Sequence, residues 1–387
     1  MKGASPDGPE ILANAVALEG LLREEAAENE RLRQLSPRTA KALRAAGVFR
    51  LAMPAAWGGP EIDIVTQTEV VEALSRADGS AGWCAMIGSD GGFYSAFLDD
   101  TVGRALYPDL DAVTAGGVLP AGRLDRRPGG HSLSGRWAFG SGISHADVVA
   151  AGAIVFDDGE MVTGPDGRPE WRIALLPASA YEVLDTWYTT GLAGSGSHDY
   201  TADGVFVPDE QSFRFADGAR RPGPLYAWPG LFIANATGVP LGIARAALDA
   251  ARAIWADKMI VPDMKPARDE PRVRATVARA EAMVGSVRSY AYDLLASFWA
   301  TLEAGETPSL EQRAALAGSF AYTFQTCRDA VALLYAEVGS QSVYRSCPLD
   351  RHLRDLATMS QHIMGQTRML EMAGGMWLGQ PSPLPVL

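Results

Sequence analysis

Apolar residues recur three and four apart from about residue 9 to residue 108, alternate with polar ones from about 112 to 224, and then return to the first spacing. The first spacing predicts helices and the second strands, so the order is helical region, β region, helical region. Ser36 followed by Pro37 supplies an N-cap and a proline at the first helical position, which predicts a helix over 38–46 closed by a left-handed Gly47. Residues 64–76 and 79–98 continue the helical spacing. Residues 54–60, with Trp57-Gly58-Gly59-Pro60, read as a loop.

In the middle region, short apolar runs at 148–156, 171–176 and 205–208 are separated by turn formers. These are Gly129-Gly130, Asp157-Asp158-Gly159, Gly164-Pro165-Asp166-Gly167 and Ala202-Asp203-Gly204. The expectation is a small barrel or sandwich. Four long helical segments follow, near 228–259, 271–304, 310–339 and 350–376, with Gly or Pro at their junctions, and an antiparallel four-helix bundle is their simplest packing. The chain is thus expected to be an α+β multidomain protein with an N-terminal helical domain (1–111), a central β domain (112–224) and a C-terminal helical bundle (225–387). There is no internal repeat, low-complexity tract or long linker.

At 387 residues the chain is too long for one ordinary core, which fits several domains. A formal charge of -12 argues against nucleic acid or an anionic membrane as partner, since no basic stripe could neutralise phosphates. Cys84, Cys327 and Cys347 form no CxxC, so neither a disulfide framework nor a zinc site is expected. A reducing cytoplasm fits that usage. The N-terminus has no apolar signal core, no apolar run reaches roughly 18 residues, and the first several residues are expected to be disordered.

The usual motifs of chemistry are missing. The nearest glycine-rich loop, Gly191-Leu-Ala-Gly194-Ser195-Gly196-Ser197, runs into a strand-like segment, whereas a dinucleotide fingerprint needs a helix start there. The loop either presents backbone N–H groups to a flavin or substrate, or is a plain tight turn. No nucleophile elbow, HExxH or P-loop occurs, and His131, His145, His198, His352 and His362 lack metal-ligand spacing, so no metal is expected.

Two segments remain. One is Gly135-Arg-Trp137-Ala-Phe139-Gly140-Ser141-Gly142-Ile-Ser144-His145, where Trp137 and Phe139 are expected on one strand face and Ser141-Gly142 at the turn. Such a strand end can meet a planar heterocycle; two core aromatics and a turn fit equally well. The other is Pro348 to Gly365. In a continuous helix it puts Arg351, Asp355 and His362 on one stripe, since seven residues span about two turns. A surface ion pair with a stray histidine fits that spacing too.

With Leu43-Arg-Ala-Ala-Gly47-Val-Phe-Arg-Leu, Pro54-Ala-Ala-Trp57-Gly-Gly-Pro60, Ala77-Asp-Gly-Ser-Ala-Gly-Trp83, Gly191 to Ser197 and Val205-Phe-Val-Pro208, these segments resemble the acyl-CoA dehydrogenase fold over nearly the whole chain. They most resemble its oxygenase branch, the oxygenase components of two-component flavin-dependent monooxygenases, which includes 4-hydroxyphenylacetate 3-hydroxylase and dibenzothiophene monooxygenase. A dehydrogenase of the common type carries a catalytic Glu about two turns after its Arg-Asp pair. After Arg354-Asp355 this chain has Ile363 or Met364 there, beside His362.

The resemblance implies reduced FMN or FAD from a separate NAD(P)H-dependent reductase, O2 as co-substrate, a C4a-hydroperoxyflavin, hydroxylation of a phenol-like aromatic, and a homotetramer. It implies His362, Ser141 and Asp355 as catalytic groups: His362 as base for a phenolic proton, Asp355 orienting it, and Ser141, or Ser144 in a shifted register, bonding flavin or substrate. Trp137, Phe139, Ser141, Gly142, Gly194, Ser195 and Ser197 are the expected flavin-binding residues, with Ala193 replacing the commoner Arg. The alternatives are an acyl-CoA dehydrogenase using Glu371 as base, an N- or S-oxygenase of the same branch, or a helical scaffold that binds no flavin.

Overall fold

Helix starts along the first third of the chain follow local capping. Asp7, Ser36, Asp63, Asp78 and Asp99 each accept a backbone N–H of the helix they precede, meeting donors that the helix leaves open. The computed structural model describes residues 6–164, 167–261 and 264–382. Its first helices are α1 (Gly8–Ala17), α2 (Glu19–Leu32), α3 (Pro37–Ala45), α4 (Ile64–Ala77), α5 (Gly79–Gly88), α6 (Gly91–Ser95) and α7 (Asp100–Leu106). The helix expected at 38–46 is α3, with Thr39 N–H donating to Ser36 Oγ at 3.0 Å and Gly47 at φ 79°. The segment 79–98 is broken at Ser89 and Asp90 into α5 and α6. Residues 1–5, the expected disordered tail, and Pro165-Asp166 of the third predicted turn lie outside the described residues.

Eight strands follow: β1 (Thr114–Arg127), β2 (Gly130–Gly140), β3 (Val148–Asp157), β4 (Glu160–Met161), β5 (Trp171–Pro177), β6 (Glu182–Leu184), β7 (His198–Pro208) and β8 (Ser212–Phe213). They form one sheet in the order β6-β7-β2-β1-β3-β5-β8, with β4 on β3. β1 and β3 run parallel, whereas β1 and β2 are antiparallel. The sheet has a core of its own, in which Leu124, Leu133, Trp137, Val155, Tyr200 and Val207 are buried together. Ala202-Asp203-Gly204, read from sequence as a turn, lies inside β7. Leu133 pairs with Val205 but Gly135 with Ala202, so β7 carries an extra residue, and Gly204 at φ 66° takes the bulge.

The C-terminal region contains α8 (Gly238–Asp257), α9 (Pro271–Glu303), α10 (Leu310–Val338), α11 (Pro348–Met359) and α12 (Thr367–Trp377), with α10 packed against the other four. Pro229–Asp257 is long and apolar enough to cross a bilayer, yet it is largely buried inside the fold and reads as a core helix. Gly242 lets α8 lie against α4: a Cβ there would sit 2.3 Å from the Glu72 carbonyl oxygen. The expected fourth long helix is two. Ser360 Oγ donates to the Leu356 carbonyl oxygen at 2.7 Å, α11 stops at Met359, and the chain crosses Ser360 to Gln366 before α12 begins.

Candidate active site

His362 sits in that crossing. Its backbone is extended at φ -64° and ψ 148°, and its Nδ1 accepts the Met364 N–H at 3.4 Å, capping a single turn at Ile363–Gly365. In a neutral imidazole with Nδ1 accepting, the ring proton is on Nε2. Burial lowers the ring's pKa to about 4, so it is neutral near pH 7. The ring meets Trp83 of α5 edge to face, with centroids 5.3 Å apart and planes at 78°.

Trp83 leads to the serines. Its Nε1–H donates to Ser141 Oγ at 2.9 Å, Ser141 Oγ is 2.8 Å from Ser197 Oγ, and Ser197 Oγ is 2.7 Å from Ser195 Oγ. The two loops that supply these hydroxyls are tied together by the Gly142 N–H, which donates to the Ser195 carbonyl oxygen at 2.9 Å. Gly142, at φ 72°, makes the turn after Ser141. Ser144 is exposed, so Ser141 is the serine that joins Trp83 and Ser197.

Asp355 does not orient His362. The helix ends between them, and Asp355 Oδ1 instead accepts the Leu192 N–H at 2.6 Å. Arg354 braces the same loop: it pairs with Glu30 at 2.8 Å and Asp350 at 2.9 Å, and donates to the Thr190 carbonyl oxygen. Burial raises the Asp355 pKa to about 7; the Leu192 bond and the Arg351 and Arg354 charges pull it down, and the Asp78 charge pushes it up. Gly194 lies beneath the loop, where a Cβ would come within 2.8 Å of Asn29 Cβ. It therefore permits close packing on α2.

Trp137 and Phe139 do not share a face. Trp137 pairs with Tyr200 but Gly140 with His198, so β2 gains a residue between them, and Phe139 takes φ 66°. Trp137 is spent in the sheet core: it stacks on Tyr200 at 5.4 Å and donates its Nε1–H to the Gly152 carbonyl oxygen at 2.7 Å. Phe139 is thrown outward, 67% exposed, with Trp187 against it edge to face at 6.3 Å. His145 packs near Phe49 and below Gly142, away from the serine row's hydrogen bonds.

Family models of the acyl-CoA dehydrogenase N-terminal and C-terminal domains match residues 14–98 and 235–367. The indole-3-acetate monooxygenase of Pseudomonas putida is 31% identical over 381 residues, 97% of this chain and 96% of that one. The chain belongs to the flavin-dependent monooxygenases of the acyl-CoA dehydrogenase fold. An FADH2-dependent resorcinol hydroxylase, oxygenase component, from Rhizobium is 28% identical across 91% of this monooxygenase and 90% of its own length. The crystal structure of a 3-HSA hydroxylase from Rhodococcus superposes with a TM-score of 0.89 at 26% identity, covering 98% and 99%.

In this monooxygenase Glu371, the carboxylate a dehydrogenase reading needs, is exposed on α12. Sequence reasoning missed Trp83 as a site residue. Its signal was present: it ends the Ala77 to Trp83 motif, five residues after the Asp78 cap of α5.

Proposed function

We propose that the chain is the oxygenase component of a two-component system that hydroxylates a phenol-like aromatic with reduced FMN or FAD and O2. The observation that carries this reading is the meeting of His362, Trp83 and Ser141, three groups from separate regions with no carboxylate among them. A thioester dehydrogenase needs a base for an α-proton, and nothing in that trio is a carboxylate that could serve as one.

A flavin fits the residues present. Phe139 holds a backbone conformation that is costly for a bulky side chain, is exposed, and stands two residues from Ser141 with Trp187 at its edge. An exposed aromatic pair beside a hydroxyl offers a planar heterocycle a face and a polar contact. A reduced flavin bound there would supply the two electrons that activate O2, one atom of which enters the substrate while the other leaves as water. In this reading Ser141 and Phe139 hold the flavin, and the bulk of Trp83 helps exclude water. His362 donates its Nε2–H to the substrate oxygen. Taking a phenolic proton, the role implied by the resemblance, would require the ring to move its own proton to Nδ1 and give up the Met364 bond.

The relatives named for indole-3-acetate and resorcinol support an electron-rich aromatic substrate, and the name oxygenase component supports a separate reductase. A homotetramer belongs to the same proposal. Tyr290 and Tyr322 meet edge to face at 6.3 Å on the outside of α9 and α10, and Trp377 and Leu378 are 56% and 83% exposed at the end of α12, apolar surface that a second copy could cover. The division at 111/112 and 224/225 and a cytoplasmic location are also part of it. They are supported by the eight-stranded sheet lying within Thr114 through Phe213, with one short strand pair, Met259–Ile260 and Lys265–Pro266, outside it, and by three free buried thiols.

The test is turnover with a generic NAD(P)H flavin reductase, FMN or FAD, and a panel of phenols and indoles under isotopically labelled O2. Labelled product matched to O2 uptake is expected. Release of all the O2 as hydrogen peroxide across the panel, with flavin bleaching by an acyl-CoA thioester in the absence of O2, would overturn the reading.

A further inference from the structure

Ser141, Ser197 and Ser195 form a row of three hydroxyls joined by two hydrogen bonds, 2.8 Å and 2.7 Å long. An indole N–H can only donate, so Trp83 occupies one acceptor position of Ser141. Three hydroxyl hydrogens serve two bonds, and one is always left over. The direction of the row decides where it emerges.

If the row runs from Ser141 to Ser195, the spare hydrogen is on Ser195, which is fully buried and bonded through Oγ to Ser197 alone. If both outer serines donate inward, it is on Ser197, which is 3% exposed. If the row runs from Ser195 to Ser141, the spare hydrogen emerges at Ser141, two residues from exposed Phe139. A buried O–H without an acceptor is costly, and only the last arrangement leaves none once a ligand acceptor meets Ser141.

We infer that the row points outward: Ser195 donates to Ser197, Ser197 donates to Ser141, and Ser141 donates to an acceptor atom of the flavin, such as a ring carbonyl oxygen. Ser195 and Ser197 are then positioning residues that never touch the flavin. Ser141 accepts from Trp83 and Ser197 together, which fills both of its acceptor positions and fixes its own hydrogen as the contact. The inference rests on the reading that Ser141 faces the flavin.

Titration of the purified chain with oxidised FMN and FAD, followed by the shift of the flavin absorbance, separates the two. Ser141→Ala should weaken binding about tenfold, the loss of one hydrogen bond. Ser197→Ala should weaken it roughly threefold, with Ser197→Thr restoring it, because the loss acts only through Ser141. In an inward-running row Ser197→Ala would instead free the Ser141 hydrogen, so binding equal to or tighter than wild type overturns the inference. Unchanged binding in Ser141→Ala would sink the underlying reading. Thermal melts of each variant keep a folding defect from being mistaken for either result.

Discussion

Asp355 Oδ1 holds the Leu192 N–H at 2.6 Å, and through that bond α11 positions the loop that carries Ser195 and Ser197. Leu192 is at φ 49°, a left-handed conformation that only its surroundings maintain, and Gly191 lies so close to α11 that a Cβ would be 2.0 Å from the Arg354 carbonyl oxygen. Asp355→Ala leaves a buried N–H unpaired and should cost about 2–4 kcal/mol of unfolding free energy. Asp355→Asn keeps an acceptor and should cost roughly 1 kcal/mol or less. Urea denaturation measures both, and an Ala variant as stable as wild type would rule out the brace.

His362 donates from Nε2 in the proposed site, so what replaces it should matter through its donor. His362→Ala is expected to keep flavin binding but lose most product, with O2 uptake diverted to hydrogen peroxide. His362→Gln, which retains an N–H donor, should keep a larger share of product at a similar flavin affinity. Equal coupling in wild type and the Ala variant would remove His362 from the reaction.

Two buried groups should respond to pH with opposite signs. Burial lowers the His352 ring from 6.5 to about 3, so below pH 6.5 the unfolded chain binds a proton that the folded chain does not. Its stabilising effect is complete above pH 6.5 and is lost as pH falls. Burial raises Asp355 from 3.8 to about 7, so the folded chain keeps a proton that the unfolded one has released, and this contribution is lost as pH rises through 7. Relative to wild type, the melting temperature of His352→Gln should improve from pH 7 to pH 5. That of Asp355→Asn should improve from pH 6 to pH 8. Parallel curves for variant and wild type in either series would contradict the assignment.

Trp137 stacks on Tyr200 in the sheet core and bonds Gly152, so its loss should be felt as stability and not as chemistry. Trp137→Phe forfeits a buried hydrogen bond and leaves a void, together about 2–4 kcal/mol. Flavin affinity and the ratio of product to peroxide should hold below the melting transition. A coupling defect in a stable variant would return Trp137 to the site.

What the sequence made legible was local. The α3 start was readable because Ser36, Pro37 and Thr39 act on one another within a single turn, and the three regions because the apolar spacing changes over tens of residues. The placing of Phe139 was not, because the extra residue in β2 is set by pairing with Tyr200 and His198, some sixty positions away. The end of α11 was hidden for a similar reason. No proline marks it; the chain turns where Gly365 packs so closely on Ser360 that a Cβ would be 2.8 Å from Ser360 Cα, and the Gly365 carbonyl accepts from Gln325 of α10. His362 was singled out by motif on a continuous helix that in fact ends before it, and Asp355, expected beside His362, bonds the Leu192 N–H instead.

The residues that meet around Ser141 come from a helix near the start of the chain, two loops of the sheet and a crossing near the end. The sheet region supplies Phe139 and the three serines, the first helices supply Trp83 and the last crossing supplies His362, so the full constellation exists only when all three regions are in place. A chain that stops short of the crossing would still carry Trp83 and all three serines but not His362, so in the proposed site the groups that hold the cofactor and the group that meets the substrate are written in different stretches of the polypeptide.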